Sequence, residues 1–200
     1  MTIKQLLMVW RNDSPLAPLA LPKGYRFHNW RRGGDEILSY EKYRDRWIKM
    51  WSAEGIERIT KWFDEVYNDA LVPDDGFFTI LYGEGDPVAV SCIQIGEHTP
   101  DSATVHAVAA STDHKGKGLG RIITQAVMLE AQKRGIYETY LTTDDWRIPA
   151  VKIYLDLGFR PVLWDSDMRE RWMKLLEFFG RYDVPAVDEN AADIVLNPSK

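Results

Sequence analysis

Between Val105 and Arg121 the chain runs from an apolar, β-prone stretch into a glycine-rich basic loop and then directly into an amphipathic helix. The loop reads Lys115-Gly116-Lys117-Gly118-Leu119-Gly120-Arg121. Glycines let backbone N–H groups come close to a ligand, and a helix start adds unpaired donors and partial positive charge. A strand that hands over to a helix through such a loop describes a phosphate cradle in a chain that mixes strands and helices.

The 200 residues are 45% hydrophobic, enough for one good core or a core with a small appendage. A formal net charge of −5 argues against a general nucleic-acid binder. Cys92 is the single cysteine, which excludes an internal disulfide and a cysteine-rich metal site, and no metal is expected. It lies in the apolar run Val88 to Ile95, where a buried thiol is the expectation. The apolar patch Leu6 to Trp10 is interrupted by Arg11, Asn12 and Asp13, so no signal peptide is expected. No apolar run approaches membrane-spanning length. The expectation is a cytoplasmic protein with no membrane and no nucleic-acid partner.

Proline-containing residues 1–24 read as an irregular arm, residues 25–180 as a single α/β domain, and residues 181–200 as a polar tail. Alternation predicts a first strand over Tyr25 to Trp30, followed by an Arg32-Gly33-Gly34-Asp35 turn with Asp35 as a helix cap. Helical spacing predicts helices over residues 36–51 and 56–70, then a turn at Pro73-Asp74-Asp75-Gly76. Strands are predicted at Phe77 to Tyr82, Val88 to Ile95 and Ala103 to Ala110, and their short connections favour an antiparallel meander. A helix opening at Gly118 stops at Gly135. Then follow a strand at Tyr137 to Thr142, a helix at Pro149 to Leu157, a strand at Phe159 to Leu163 and a helix at Ser166 to Phe179.

The loop is not a Walker loop, which needs a longer spacer and a Ser or Thr after its lysine. A dinucleotide fingerprint needs two residues before its last glycine and a parallel setting, whereas Gly116, Gly118 and Gly120 simply alternate after antiparallel strands. Lys115 to Gly120 resembles instead motif A of the GNAT superfamily of N-acetyltransferases, Gln/Arg-x-x-Gly-x-Gly/Ala, with Lys115 in the first place. Downstream, Arg147 to Phe159 resembles the superfamily's Asn-x-x-Ala-x-x-x-Tyr-x-x-x-Gly-Phe, with Arg147 in place of Asn. Both signatures occur in the superfamily's order, and the resemblance covers about residues 77–164. It implies a mixed, mostly antiparallel central sheet flanked by helices.

The resemblance also implies acetyl-CoA as co-substrate. Lys115, Gly116, Lys117, Gly118, Leu119, Gly120 and Arg121 would then hold its pyrophosphate. The strand end Val108, Ala109 and Ala110 would pair with the pantetheine arm, and Arg147 would join the cofactor residues. Tyr154 matches the family's general acid, because a phenol suits protonation of a departing thiolate. Ala150, Ile153, Tyr154 and Leu157 also share one helix face, so a core tyrosine is the competing reading, and the Gly158-Phe159 flank favours the acid.

His106 is the candidate base, with a pKa suited to proton transfer at neutral pH. It shares a strand face with Thr104, and both fall where some members carry catalytic residues. A histidine turned away from the cleft is equally compatible. Glu97, Asp144 and Asp145 are substitutes, reached directly or through water. Tyr40, Tyr43, Trp47 and Trp51 form a helical stripe that reads as core before it reads as an acceptor site.

The expected activity is acetyl transfer from acetyl-CoA to a primary amine by direct attack in a ternary complex. Burial of Cys92 disfavours a double-displacement route. A small-molecule acceptor is expected rather than a protein, with room for a homodimer. The alternative is an acyl-CoA-binding sensor on the same fold that has lost catalysis.

Overall fold

The computed structural model describes residues 4–13 and 15–199. In chain order the elements are β1 (Leu6–Arg11), β2 (Tyr25–Trp30), α1 (Tyr40–Trp51), α2 (Ile56–Tyr67), β3 (Phe77–Tyr82), β4 (Asp86–Ile95) and β5 (Ser102–Ala110). They continue as α3 (Leu119–Lys133), β6 (Glu138–Thr143), α4 (Ile148–Asp156), β7 (Arg160–Val162), α5 (Met168–Phe178), β8 (Val184–Val187) and β9 (Asp193–Leu196). They gather into two compact units, Asn12–Tyr137 and Met1–Arg11 with Glu138–Lys200. The architecture is the expected α+β class, with mostly antiparallel strands flanked by helices.

In the Asn12–Tyr137 unit, β2, β3, β4 and β5 form the antiparallel meander that their short turns require. The inward residues of α1 and α2 recur at three- and four-residue spacing and cover one face of it. Tyr43, Trp47, Ile59, Phe63 and Val66 join Trp30, Phe77, Leu81, Val90 and Cys92 in one buried cluster. Trp30 stacks on Tyr43 at 4.0 Å between ring centroids, and its indole N–H donates to Leu38 O at 2.9 Å. The aromatic stripe of α1 is therefore core at Tyr43 and Trp47. Helix α3 packs against β3, β4 and β5 and contributes none of its residues to that cluster.

Asp35 does not cap α1. Its carboxylate accepts from the N–H groups of Ile37 and Leu38, both at 2.9 Å, and from His28 at 2.8 Å. That turn, closed by a Gly34–Ser39 bridge, delays the helix until Ser39, whose hydroxyl accepts from Lys42 N. Helix α2 stops at Tyr67, short of the predicted Ala70, because the Asn68 side chain binds Asp64 O at 2.7 Å.

The second unit corrects both ends of the sequence reading. Residues 6–11, assigned to an irregular arm, form β1, paired antiparallel with β6 on one side and β7 on the other. A strand buried on both faces reads as a continuous apolar run without alternation, and so resembles a stray patch. Residues 184–187 and 193–196, assigned to a polar tail, form β8 and β9, with β8 parallel to β7 and β9 antiparallel to β8. Val9, Val162 and Val187 pack together at the centre of this sheet. Among the described residues, no helix is long and apolar enough to cross a membrane.

Candidate active site

The glycine loop follows β5 after one 3-10 turn, Thr112–His114, whose start is capped by the Ser111 hydroxyl. Gly116 (φ 79°) and Gly118 (φ 71°) both adopt the left-handed conformation that disfavours side chains. No atom lies within 4 Å of where a Cβ on either would sit, so the loop presents its backbone to open space. Leu119 is buried and anchors the loop, whereas Lys115, Lys117 and Arg121 are exposed. Helix α3 begins at Gly118 without a side-chain cap, and Ile122 N makes its first intrahelical bond, to Gly118 O. The N–H groups of its first turn therefore face outward without a side-chain acceptor. Backbone donors gathered at a helix start in this way suit an anion.

Beside the loop, a cleft of about 380 Å³ is lined by Arg46, Lys49, Asp86, Ser111, Thr112 and His114, among others. His114 shares a 2.7 Å hydrogen bond with the Tyr25 hydroxyl and packs edge-on against Tyr82. That arrangement holds the 3-10 turn to β2 and β3.

Strand β5 is irregular just before the loop. Cys92 pairs with His106 and Val90 with Ala109, so Ala107 and Val108 together oppose Ser91. Ala107 has a φ of 54°, the left-handed region a non-glycine residue rarely visits. Such a bulge leaves backbone groups unpaired and re-aims the strand. Ser91 Oγ donates to His106 O at 2.9 Å, which pins the strand at the bulge. Val108, Ala109 and Ala110 are half-buried on the segment that leads into the loop.

His106 lies beneath α2, with Trp62 against its ring. Burial lowers its pKa below 6.5, and the negative charges of Glu97 and Asp69 partly offset this. The imidazole is therefore neutral at pH 7 and able to accept a proton. Cys92, opposite it, is fully buried, and desolvation pushes its thiol pKa far up, which removes it as a nucleophile.

In the other unit, Tyr154 lies on α4, which Pro149 starts within its first turn. The side chain is 7% exposed and meets Phe159 edge-on at 6.0 Å. Burial raises its pKa to about 12, against a smaller lowering by Arg147. Arg147 occupies the N-cap of α4, donates to Asp144 Oδ2 at 3.0 Å and lies over the Trp146 ring at 4.4 Å. Asp145 is engaged by Arg171 at 2.5 and 2.9 Å. Both alternative carboxylates from this segment are thus held in ion pairs.

Sequence reasoning brought Val108 to Ala110 and Lys115 to Arg121 onto one continuous segment, with His106 just before it. It did not find the bulge at Ala107, which has no glycine to announce it. It also missed Trp62, whose helical position reads as core, and the pairing of Gln94 with Asp69. A glutamine within the apolar run Val88 to Ile95 was the available signal for the last.

Residues 39–159 match the model of the acetyltransferase (GNAT) family. The mycothiol acetyltransferase of Thermobispora bispora is 27% identical over 178 residues, covering 82% of this chain and 56% of that protein. The mycothiol acetyltransferase of Saccharomonospora viridis is 26% identical over 150 residues, covering 71% of this chain and 48% of that protein. The chain thus spans about half the length of these curated relatives. Among solved structures, the GCN5-related N-acetyltransferase of Sphaerobacter thermophilus superposes with a TM-score of 0.59 at 17% identity, covering 78% of this chain and 48% of that one.

Proposed function

Since the chain belongs to the GNAT acetyltransferase family, we propose that it transfers an acetyl group from acetyl-CoA to the primary amine of a small molecule, by direct attack in a ternary complex. The observation that carries this reading is the pair of left-handed glycines, Gly116 and Gly118, opening their backbone at the uncapped start of α3. The name of the similar proteins, mycothiol acetyltransferase, supports a small-molecule acceptor.

Acetyl-CoA supplies an activated carbonyl and a thiolate leaving group. The chain's residues must hold its phosphates, free the attacking amine of a proton and protonate the thiolate. Gly116 to Arg121 offer backbone N–H groups to the pyrophosphate, with Lys115, Lys117 and Arg121 adding charge. Val108 to Ala110, re-aimed by the bulge that precedes them, offer backbone to the pantetheine arm. Arg147 contributes charge at the start of α4. An ammonium has no lone pair, so the neutral imidazole of His106 takes the amine proton before or during attack. The Tyr154 hydroxyl, protonated throughout the neutral range, donates to the departing sulfur.

The test is thiol release from acetyl-CoA with a panel of small amines, alongside calorimetry of acetyl-CoA binding. Binding with turnover on at least one amine is expected. Binding without turnover on any acceptor favours a CoA sensor, and absence of binding overturns the reading of the loop.

A further inference from the structure

Three indoles gather over β5, on the face that α1 and α2 cover. Trp47 and Trp51 lie one turn apart on α1, and Trp62 joins them from α2. The Trp62 ring meets Trp47 at 4.8 Å and Trp51 edge-on at 4.9 Å between centroids. The same ring meets the His106 imidazole at 6.0 Å. Ala107 and Ala109, on the strand below, pack into the cluster with nothing larger than a methyl group. Large rings thus face small side chains beside the bulge. Trp47 is 2% exposed and belongs to the core, whereas Trp51 and Trp62 are partly buried and keep ring surface for a ligand.

The chemistry fixes how near the acyl group must come. A general base needs the amine nitrogen within about 3.2 Å, and attack needs that nitrogen about 3–3.5 Å from the acyl carbon. The acyl carbon therefore stands roughly 5–6 Å from the imidazole nitrogen. That is the scale of the 6.0 Å between the imidazole and the Trp62 ring. The thioester arrives along Val108 to Ala110, from the loop side of His106, so its acyl chain leads on toward these rings. The negative charges that act on His106 come from Asp69 and Glu97, and they suit an incoming ammonium. The uncharged indoles suit a hydrocarbon chain.

We propose that Trp62, backed by Trp47 and Trp51, is the wall that limits the transferred acyl group to acetyl. This rests on the reading of His106 as the base and of the strand end as the seat of pantetheine. The indole takes the methyl of the acetyl group. Each further methylene has to displace a ring already packed against two others, and close-packed interiors resist such overfilling. The transfer itself is unchanged: the amine nitrogen bonds to the acyl carbon, the carbon–sulfur bond breaks, and the thiolate leaves.

The test is kcat/KM with acetyl-, propionyl- and butyryl-CoA on one amine, for wild type, Trp62→Phe and Trp62→Ala. The wild type should lose at least about tenfold for each added methylene. Trp62→Ala should narrow the acetyl-to-butyryl ratio by about tenfold or more, with Trp62→Phe between the two. A packing role alone lowers turnover of all three donors alike and leaves the ratio fixed. Trp62→Phe keeps a ring in place, so the ratio remains measurable where Trp62→Ala folds poorly. An unmoved ratio in the variants would overturn the wall, and so would wild-type turnover of butyryl-CoA equal to that of acetyl-CoA. A raised KM for the amine with the ratio unmoved would set Trp62 against the acceptor instead. Wild type without turnover on any donor would overturn the acetyl-transfer reading and the wall with it, a failure distinct from an unmoved ratio.

Discussion

The His106 imidazole meets the Trp62 indole edge-on, with ring centroids 6.0 Å apart and planes inclined at 77°. The indole shields one side of the imidazole from water and contributes to the burial that lowers its pKa. Desolvation of a histidine disfavours its charged form, so its exposure and its pKa are tied together. Opening that side should therefore change the chemistry as well as the packing.

The kcat/KM of the enzyme should rise with pH, with its midpoint below the ordinary imidazole value of 6.5. In Trp62→Ala the midpoint should move up toward that value, as water reaches the ring. The same lowered pKa makes the unfolded chain bind more protons than the native state just below pH 6.5. His106 therefore leaves native stability undiminished above pH 6.5 and subtracts from it as pH falls toward its lower folded value. Melts of wild type and His106→Gln across this range should converge at high pH, and the wild type should lose more on acidification.

Tyr154→Phe should leave acetyl-CoA binding in place and lower kcat by about 100-fold, within the range for a general acid. The hydroxyl keeps its proton until the pH approaches about 12. No alkaline loss of rate from this group is expected below pH 10, roughly two units lower. Steady-state kinetics with calorimetry separates this outcome from a packing role, which would lower Tm without a selective fall in kcat.

Gly118→Ala places a side chain at a φ of 71° but brings no clash, since nothing lies within 4 Å of the new Cβ. The cost is conformational, roughly 1–2 kcal/mol for a left-handed L-residue. Denaturant melts should show this loss. The KM for acetyl-CoA should rise with it, because relief of the strain turns the loop's N–H groups away from the phosphates.

Cys92 should resist thiol reagents in the native state and react only after unfolding, because it is buried and strongly held as the thiol. Cys92→Ala should retain turnover. A native thiol that reacts quickly, or a variant without activity, would reopen a double-displacement route.

The meander β3 to β5 and the helix from Gly118 to Gly135 were legible because their punctuation is local. Glycines and prolines mark the turns, and each strand pairs with its sequence neighbour. The family was legible for another reason: the loop and the Tyr154 segment carry its two signatures at fixed spacing, and both fall within the matched residues 39–159. What escaped was non-local. Ser39 rather than Asp35 caps α1 because Asp35 is drawn into a turn and toward His28, a competition invisible in helical spacing. The bulge at Ala107 depends on how β4 and β5 meet, and nothing at Ala107 itself signals a left-handed backbone. Alternation along the strand places Thr104 on the face of His106. Its position opposite Gln94 emerges only from the strand register.

Strand β1 lies between β6 and β7, and both of its neighbours come from the far end of the chain. Closing so long a loop is entropically costly, so this pairing belongs to the slow, late part of folding. Until β1 docks, β6 and β7 each expose a row of unpaired backbone groups, and open edges of this kind recruit strands from other molecules. Strand β1 is in effect the seal of this sheet. Shortening it should be felt first as aggregation during refolding, before any change in the chemistry of the loop.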